Sequence, residues 1–146
     1  MTGHLHIFLA IAAAMLLPLE AGIARVAVIK IANGKVSIQR GSKLLPATIG
    51  MRLEAGDRVV TGANGRVGIT FDDDSRFAIG PGSSVEVSNF QFDATTQQGQ
   101  FATRVERGKL VIVSGRIARA DKNAMRVLTP TTLLGVIGTK FLVVVE

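Results

Sequence analysis

The stretch from Leu53 to Ser75 has the sequence LEAGDRVVTGANGRVGITFDDDS. Apolar side chains alternate with polar or small ones at Val67, Ile69 and Phe71, which is the two-residue period of a half-buried strand. Glycine, asparagine and aspartate interrupt this alternation at short intervals, and these residue types favour tight turns. The stretch therefore predicts short strands joined by tight turns, and none of its residues forms a catalytic motif.

The same pattern continues on both sides of this stretch. Val26–Ile31 is a strand-like apolar run, and Asn33-Gly34 is a dipeptide that favours a two-residue hairpin turn. Asn64-Gly65 predicts another tight turn, and the polar residues 88–103 predict the longest loop or hairpin tip. No segment after residue 25 has a convincing helical period. We therefore predict an all-β domain of short antiparallel strands and tight turns, arranged as a sandwich, a roll or a short solenoid-like stack.

The N-terminal segment differs from the rest of the chain. Ile7–Leu17 is an uninterrupted apolar run closed by Pro18, and it is shorter than the roughly 20 apolar residues that a membrane-spanning helix needs. Gly22-Ile23-Ala24 fits a cleavage site just before Arg25. An uncleaved anchor or a misplaced start codon is the alternative, since Met1–His6 contains neither Lys nor Arg.

These features predict two parts with different fates. Residues 1–24 form a cleaved signal peptide with an N-terminal signal helix, and no stable transmembrane span remains after cleavage after Ala24. Residues 25–146 form the all-β domain, which is periplasmic or secreted.

The residue types present disfavour several classes of chemistry. The 146 residues include no Cys, Tyr or Trp, and both histidines, His4 and His6, lie in the predicted signal peptide. Without an imidazole or a thiol, the mature chain cannot form a Ser-His-Asp or Cys-His catalytic arrangement. Zinc sites, which draw on Cys and His, are disfavoured for the same reason. We predict a protein that is not an enzyme and has no cofactor and no metal site.

The acidic residues leave two alternatives to a purely structural role. Asp72-Asp73-Asp74 offers carboxylate oxygens of the kind that calcium binds, but the spacing is not that of an EF-hand loop, and aspartates favour turns. We therefore predict a turn here. A hydrolase with a carboxylate pair drawn from Asp57, Asp72–Asp74 and Glu86 is the remaining enzymatic alternative.

The chain is basic, with a formal net charge of +6 and a sequence pI near 10.5. Seven basic side chains fall within residues 104–126, opposed only by Glu106 and Asp121. They are Arg104, Arg107, Lys109, Arg116, Arg119, Lys122 and Arg126. This segment is a candidate surface for an anionic lipid, an acidic glycan or an acidic protein face, or simply the solvated side of strands and loops. Nucleic acid is not a predicted partner, because no aromatic stacking platform is present.

An ordered set of short motifs gives the chain a family likeness. The motifs are Gly34-Lys35-Val36, Leu53, Gly56-Asp57-Arg58-Val59-Val60-Thr61-Gly62, Val67-Gly68-Ile69-Thr70-Phe71, Asp73-Asp74-Ser75, Ser84-Val85-Glu86-Val87, Gly108-Lys109-Leu110, Thr129-Pro130 and Gly138-Thr139-Lys140-Phe141-Leu142-Val143-Val144-Val145. In this order the chain resembles the FecR domain family of exported and periplasmic bacterial proteins. That family usually has Asp-Gly-Ser where this chain has Asp73-Asp74-Ser75.

The resemblance implies a small all-β domain outside the cytoplasmic membrane. In the best-known relatives it belongs to a regulator that relays a signal from an outer-membrane siderophore receptor to a sigma factor. Only six residues precede the apolar run here, so the anti-sigma segment of those regulators has no counterpart and the chain looks like a stand-alone exported relative. Members of the family commonly have another strand pair after the strand that corresponds to Gly138–Val145, whereas the sequence here ends at Glu146. Either that pair is absent, which leaves a sheet edge open, or the sequence is a piece of a longer one.

Three functions follow as hypotheses. The first is an exported, non-enzymatic β domain that contacts an envelope protein partner in signalling or envelope assembly. The second is a binding module for an anionic envelope component, which uses the basic segment 104–126. The third is the carboxylate-pair hydrolase.

Overall fold

The computed structural model describes residues 25–146, so the predicted signal helix lies outside the described residues. This part of the chain forms twelve strands and one short helix. In chain order they are β1 (Arg25–Asn33), β2 (Val36–Arg40), β3 (Lys43–Pro46), β4 (Arg52–Glu54), β5 (Arg58–Thr61), β6 (Arg66–Phe71), β7 (Arg76–Ile79), β8 (Ser84–Phe92), β9 (Gly99–Val113), α1 (Arg116–Ala120), β10 (Met125–Leu128), β11 (Leu133–Gly135) and β12 (Lys140–Val145). The predicted all-β class is confirmed.

The strands form one curled sheet whose two halves face each other. The first half, called sheet 1, has the order β4-β1-β6-β7-β9-β12, and the second, called sheet 2, has the order β3-β2-β5-β8-β9-β10-β11. Strand β9 is the longest and belongs to both: its first part pairs with β8, and its part after Gly108 pairs with β7 and β12. Of the three predicted arrangements, the structure is the roll.

A cluster of phenylalanine rings joins the two halves. Phe71 and Phe77 come from sheet 1, and Phe90 and Phe101 come from sheet 2. The ring centroids of Phe71 and Phe101 are 4.6 Å apart, and those of Phe90 and Phe101 are 4.9 Å apart. Aromatic pairs at such distances add to the stabilisation that burial gives. The inward positions of the alternating strands therefore meet in a single core.

The predicted hairpin at Asn33-Gly34 is wrong, because β1 and β2 do not pair with each other. Strand β1 pairs with β4 and β6, whereas β2 pairs with β3 and β5. The chain instead crosses from sheet 1 to sheet 2 at Gly34, whose φ is +66°. A dipeptide suited to positive φ indicates a sharp turn, but it does not determine which strands the turn connects.

The crossing at Asn33-Gly34 packs against the second Asn-Gly turn, at Asn64-Gly65. The backbone N–H of Lys35 donates to Asn64 Oδ1 at 3.2 Å, and the N–H of Gly62 donates to the carbonyl of Lys35 at 2.9 Å. A Cβ on Gly34 would lie 2.7 Å from the carbonyl carbon of Asn64. The two turns therefore interlock at the end of the roll where the chain changes sheets.

Three further expectations need correction. Residues 88–103 are mostly strand, with only the tip of the β8–β9 hairpin outside it. A helix, α1, is present although no helical period was found, because five residues are too few to show one. The pairing of β10 with β9 is parallel, in a sheet that is otherwise antiparallel.

Within residues 25–146, no helix has the length and apolar character needed to cross a membrane.

Candidate binding surfaces

The predicted turn at the three aspartates is confirmed, and its middle carboxylate is buried. Asp73 is fully inaccessible to solvent. Its Oδ1 accepts a hydrogen bond from Ser75 N at 3.0 Å, and its Oδ2 accepts one from Ser75 Oγ at 2.8 Å and one from Ile117 N at 3.3 Å. Ser75 Oγ in turn accepts from Gly115 N at 3.0 Å. The carboxylate thus attaches the β6–β7 turn to the start of α1.

The two flanking carboxylates have other partners. Asp72 lies 3.6 Å from Arg52 Nη2, and Asp74 lies 3.0 Å from Arg116 Nε. Within residues 25–146, no group of three or more Asp, Glu, His or Cys side chains is arranged to hold a metal ion. The three adjacent aspartates therefore act separately.

Asp74 sits in a backbone conformation that disfavours side chains. Its φ is +68° and its side chain is 66% exposed. We expect Asp74→Gly to raise the free energy of unfolding by about 0.5–1 kcal/mol, because glycine adopts positive φ without the steric cost of a Cβ, and the exposed ion pair with Arg116 contributes little. Asp74→Ala, which loses the same ion pair but keeps the Cβ, is the matched control and should lower it. Equal urea unfolding midpoints for the two variants would contradict this explanation.

Asp57 is a second buried carboxylate with a structural role. It is 1% exposed, and it accepts hydrogen bonds from Arg40 Nε at 2.9 Å, Arg40 Nη2 at 2.7 Å and the backbone N–H of Glu54 at 2.8 Å. Its side-chain hydrogen bonds raise the pKa of the Arg40 guanidinium above its ordinary value. The bidentate pair joins β2 to the turn before β5 and leaves Asp57 no free face for a substrate.

The outer face of sheet 2 has alternating charges. Arg58 donates to Glu86 Oε2 at 3.0 Å and also contacts Glu106, and Arg104 lies opposite Glu86 on the neighbouring strand. The hydrogen bond from Arg58 holds the pKa of Glu106 below its ordinary value. Glu86, the glutamate considered for a hydrolytic pair, is therefore ion-paired with Arg58.

The structure distributes the seven residues of the basic segment over several places. Arg104 and Arg126 lie on the outer face of sheet 2, Arg107 precedes the bend of β9, and Lys109 follows it in sheet 1. Arg119 and Lys122 are exposed on α1 and in the loop after it. That the segment binds an anionic partner stays a prediction.

Arg116 is the one member of the segment that the core engages. Its guanidinium carbon lies 4.7 Å from the centroid of the Phe92 ring, and its Nη2 donates to the carbonyl of Asp72 at 2.9 Å. Together with the ion pair to Asp74, these contacts fix α1 against the β6–β7 turn and the β8–β9 hairpin. Arg116 is thus a structural residue in this arrangement.

A cavity of about 830 Å³ lies between the tip of the β8–β9 hairpin and the end of α1. The two carboxylates that line it accept hydrogen bonds from backbone groups of their own loops. Asp93 accepts one from the N–H of Thr95 at 2.8 Å, and Asp121 accepts one from the N–H of Asn123 at 2.8 Å. These hydrogen bonds stabilise local turns. Asp93 and Asp121 therefore have a structural role in the two loops that line the cavity.

Exposed apolar side chains concentrate near the C-terminal strands, which the sequence reasoning missed. Of the eight large hydrophobic residues that are exposed within residues 25–146, five lie within residues 133–144. They are Leu133, Leu134, Ile137, Leu142 and Val144. The missed signal was the absence of polar residues in Leu142–Val145 and Leu110–Val113, since a strand that is apolar on both faces is typically covered on both.

Comparison with known proteins adds a family assignment. The family model described as FecR protein matches residues 57–146. No curated protein and no solved structure gives a match. Strands β1 and β2 precede the matched region, yet they pair with β6 and β5 inside it. On the strength of this match, the chain belongs to the FecR family.

Proposed function

We propose that this chain is an exported, non-enzymatic β domain that contacts a protein partner in the cell envelope, in signalling or in envelope assembly. Membership of the FecR family supports an envelope role. The predicted signal peptide over residues 1–24 supports export, with residues 25–146 as the mature domain in the periplasm or outside the cell. The buried carboxylates of Asp57 and Asp73 accept hydrogen bonds that hold neighbouring segments together, which supports a role other than catalysis.

The observation that carries this proposal is the group of exposed apolar side chains on β11, β12 and the segment between them. Leu142 is 60% exposed and Ile137 is 77% exposed. Clustered exposed apolar side chains mark protein interaction surfaces. Among the described residues, β12 also pairs on one side only, with β9, and an unpaired edge can accept a partner's strand.

A binding module for an anionic lipid or glycan is the second candidate. The exposure of Arg119 and Lys122 at the end of α1 supports it, since cationic side chains that project together attract anionic partners. The charge-reversal variant R119E/K122E distinguishes the two candidates, because it should weaken binding to an anionic lipid or glycan and leave the protein contact of the first candidate unchanged.

Site-specific photo-crosslinking in the producing bacterium tests the proposal. A photoreactive phenylalanine analogue is placed at Leu142 or at Leu134, and a control is placed at Gln39, which is exposed on β2 of sheet 2. We expect discrete protein adducts from positions 142 and 134 and none from position 39. The recovered chain should begin at Arg25 and appear in the envelope fraction. A chain that stays in the cytoplasm, or equal adducts from all three positions, would contradict the proposal.

A further inference from the structure

The outer face of sheet 1 has an apolar row that crosses five strands. Ile31 on β1 lies opposite Gly68 on β6, which lies opposite Ala78 on β7, followed by Val111 on β9 and Leu142 on β12. Neighbouring strands lie about 4.8 Å apart, so the row is about 19 Å long. These five residues form the apolar row.

Backbone irregularity gives the apolar row a concave shape. Strand β1 has an extra residue between Ile29 and Ile31, and this bulge turns Ile31 to the outside, where it is 54% exposed. Gly68 leaves room for Ile31, because a Cβ built on Gly68 would lie only 3.3 Å from the Cβ of Ile31. The large side chains of Ile31 and Leu142 thus lie at the two ends of the apolar row, and the small Gly68 and Ala78 lie between them. All four residues line a groove of about 350 Å³.

Basic side chains flank the apolar row on both sides. On one side, Arg66 and Lys109 each lie two residues along the strand from a member of the row, Gly68 and Val111. On the other side, Arg76 and Lys140 each lie two residues along the strand from Ala78 and Leu142. All four are exposed, and none has an ion pair with another residue in the described part of the chain. Strands β6, β7, β9 and β12 place no acidic side chain on this face near the groove, in contrast to the balanced charges of sheet 2.

We propose that this groove binds an acidic amphipathic helix of a protein partner. At a rise of 1.5 Å per residue, a row of about 19 Å accommodates a helix of about 13 residues. Such a helix would lay an apolar stripe along the apolar row, with carboxylates on both sides of the stripe facing the two basic rows. The inference rests on the proposed function and names the chemistry of its partner.

The shape of the groove favours a helix over a membrane surface. A protein that adsorbs to a bilayer inserts protruding apolar side chains, whereas the centre of this face is recessed at Gly68 and Ala78. A single acyl chain would place one anionic group at one end, which would leave the cations along both sides without partners. Carboxylates that flank an apolar stripe complement both basic rows at once.

Binding of a synthetic peptide to the purified full chain tests the inference by fluorescence anisotropy. The peptide has leucines at the a and d heptad positions over about 14 residues, with glutamates at e and g, and a second peptide has lysines instead. We expect the glutamate peptide to bind, and high salt to weaken the binding. Variant K109E/K140E, which reverses one charge on each side of the groove, should bind about tenfold more weakly or worse. R119E/K122E, with the same change in net charge outside the groove, should bind as the unaltered chain does.

Two further arms complete the test. The variant I31S/L142S removes the apolar ends of the groove without changing charge, and it should also lose about tenfold or more in affinity for the glutamate peptide. Vesicles of phosphatidylglycerol and phosphatidylethanolamine should not bind. Equal affinity for both peptides, unchanged binding by K109E/K140E, loss in R119E/K122E, or binding of vesicles but not of peptide would each overturn the inference. Crosslinks from position 142 without peptide binding would leave the partner contact standing and remove the acidic helix.

Discussion

Replacing Asp73 with alanine is expected to lower the free energy of unfolding by about 3–5 kcal/mol. The substitution removes the acceptor for Ser75 N, Ser75 Oγ and Ile117 N at a position without solvent access. Each buried donor left without a partner costs about 1–3 kcal/mol. A domain of this size is stabilised by about 5–15 kcal/mol in total, so urea unfolding should detect a large shift in the midpoint.

Two other substitutions at the same turn make this prediction specific. Asp73→Asn keeps an acceptor oxygen and the side-chain shape, and it should lose less stability than Asp73→Ala. Asp72→Ala removes the neighbouring carboxylate, which is 43% exposed and only ion-paired, and it should change the free energy of unfolding by about 0.5 kcal/mol or less. If Asp72→Ala cost as much as Asp73→Ala, the buried hydrogen bonds would not be the reason for the effect.

Gly108→Ala should be comparably damaging, because Gly108 is where β9 bends from sheet 2 into sheet 1. Its φ is +97°, and an added Cβ would lie 2.5 Å from the Cα of Ser83 and closer still to Ser83 Oγ. That hydroxyl donates to the carbonyl of Gly80 at 2.8 Å and accepts from Lys109 N at 3.0 Å. Steric overlap with backbone and an unfavourable φ together should cost about 3–4 kcal/mol.

Gly82→Ala separates the two parts of that cost. Gly82 also has a positive φ, of +63°, but an added Cβ there has no neighbouring atom within 4 Å. The variant should therefore show the conformational cost alone, about 1 kcal/mol. Thermal unfolding monitored by circular dichroism compares the two, and similar losses for Gly82→Ala and Gly108→Ala would mean that close packing at the bend is not important.

Local signals in the sequence predict the strands and turns well. The alternation of Val67, Ile69 and Phe71 identifies β6 and its inward face, and the aspartate turn occurs where residue type favours it. Signals of this kind depend on neighbours in the chain, because alternation and turn preference are local properties. The family likeness, based on such motifs in order, is confirmed by the match over residues 57–146.

Strand partners and surfaces could not be predicted in the same way. Asn33-Gly34 indicates a turn, but whether it closes a hairpin or crosses between sheets depends on packing against Asn64-Gly65, far along the chain. The apolar row exists because a bulge in β1 reverses the direction of Ile31 and because five separate strands come into register. The basic segment 104–126 is contiguous in sequence, yet the bend at Gly108 directs Arg104 and Lys109 to different sheets.

The most direct test of the central claim, that this domain works by contact through its C-terminal apolar strands, is the photo-crosslink from position 142 in living cells. We expect a discrete protein adduct from position 142, its loss in the K109E/K140E background, and its persistence in the R119E/K122E background. An adduct that forms equally from position 39, or one that disappears in R119E/K122E but not in K109E/K140E, would contradict contact through these strands.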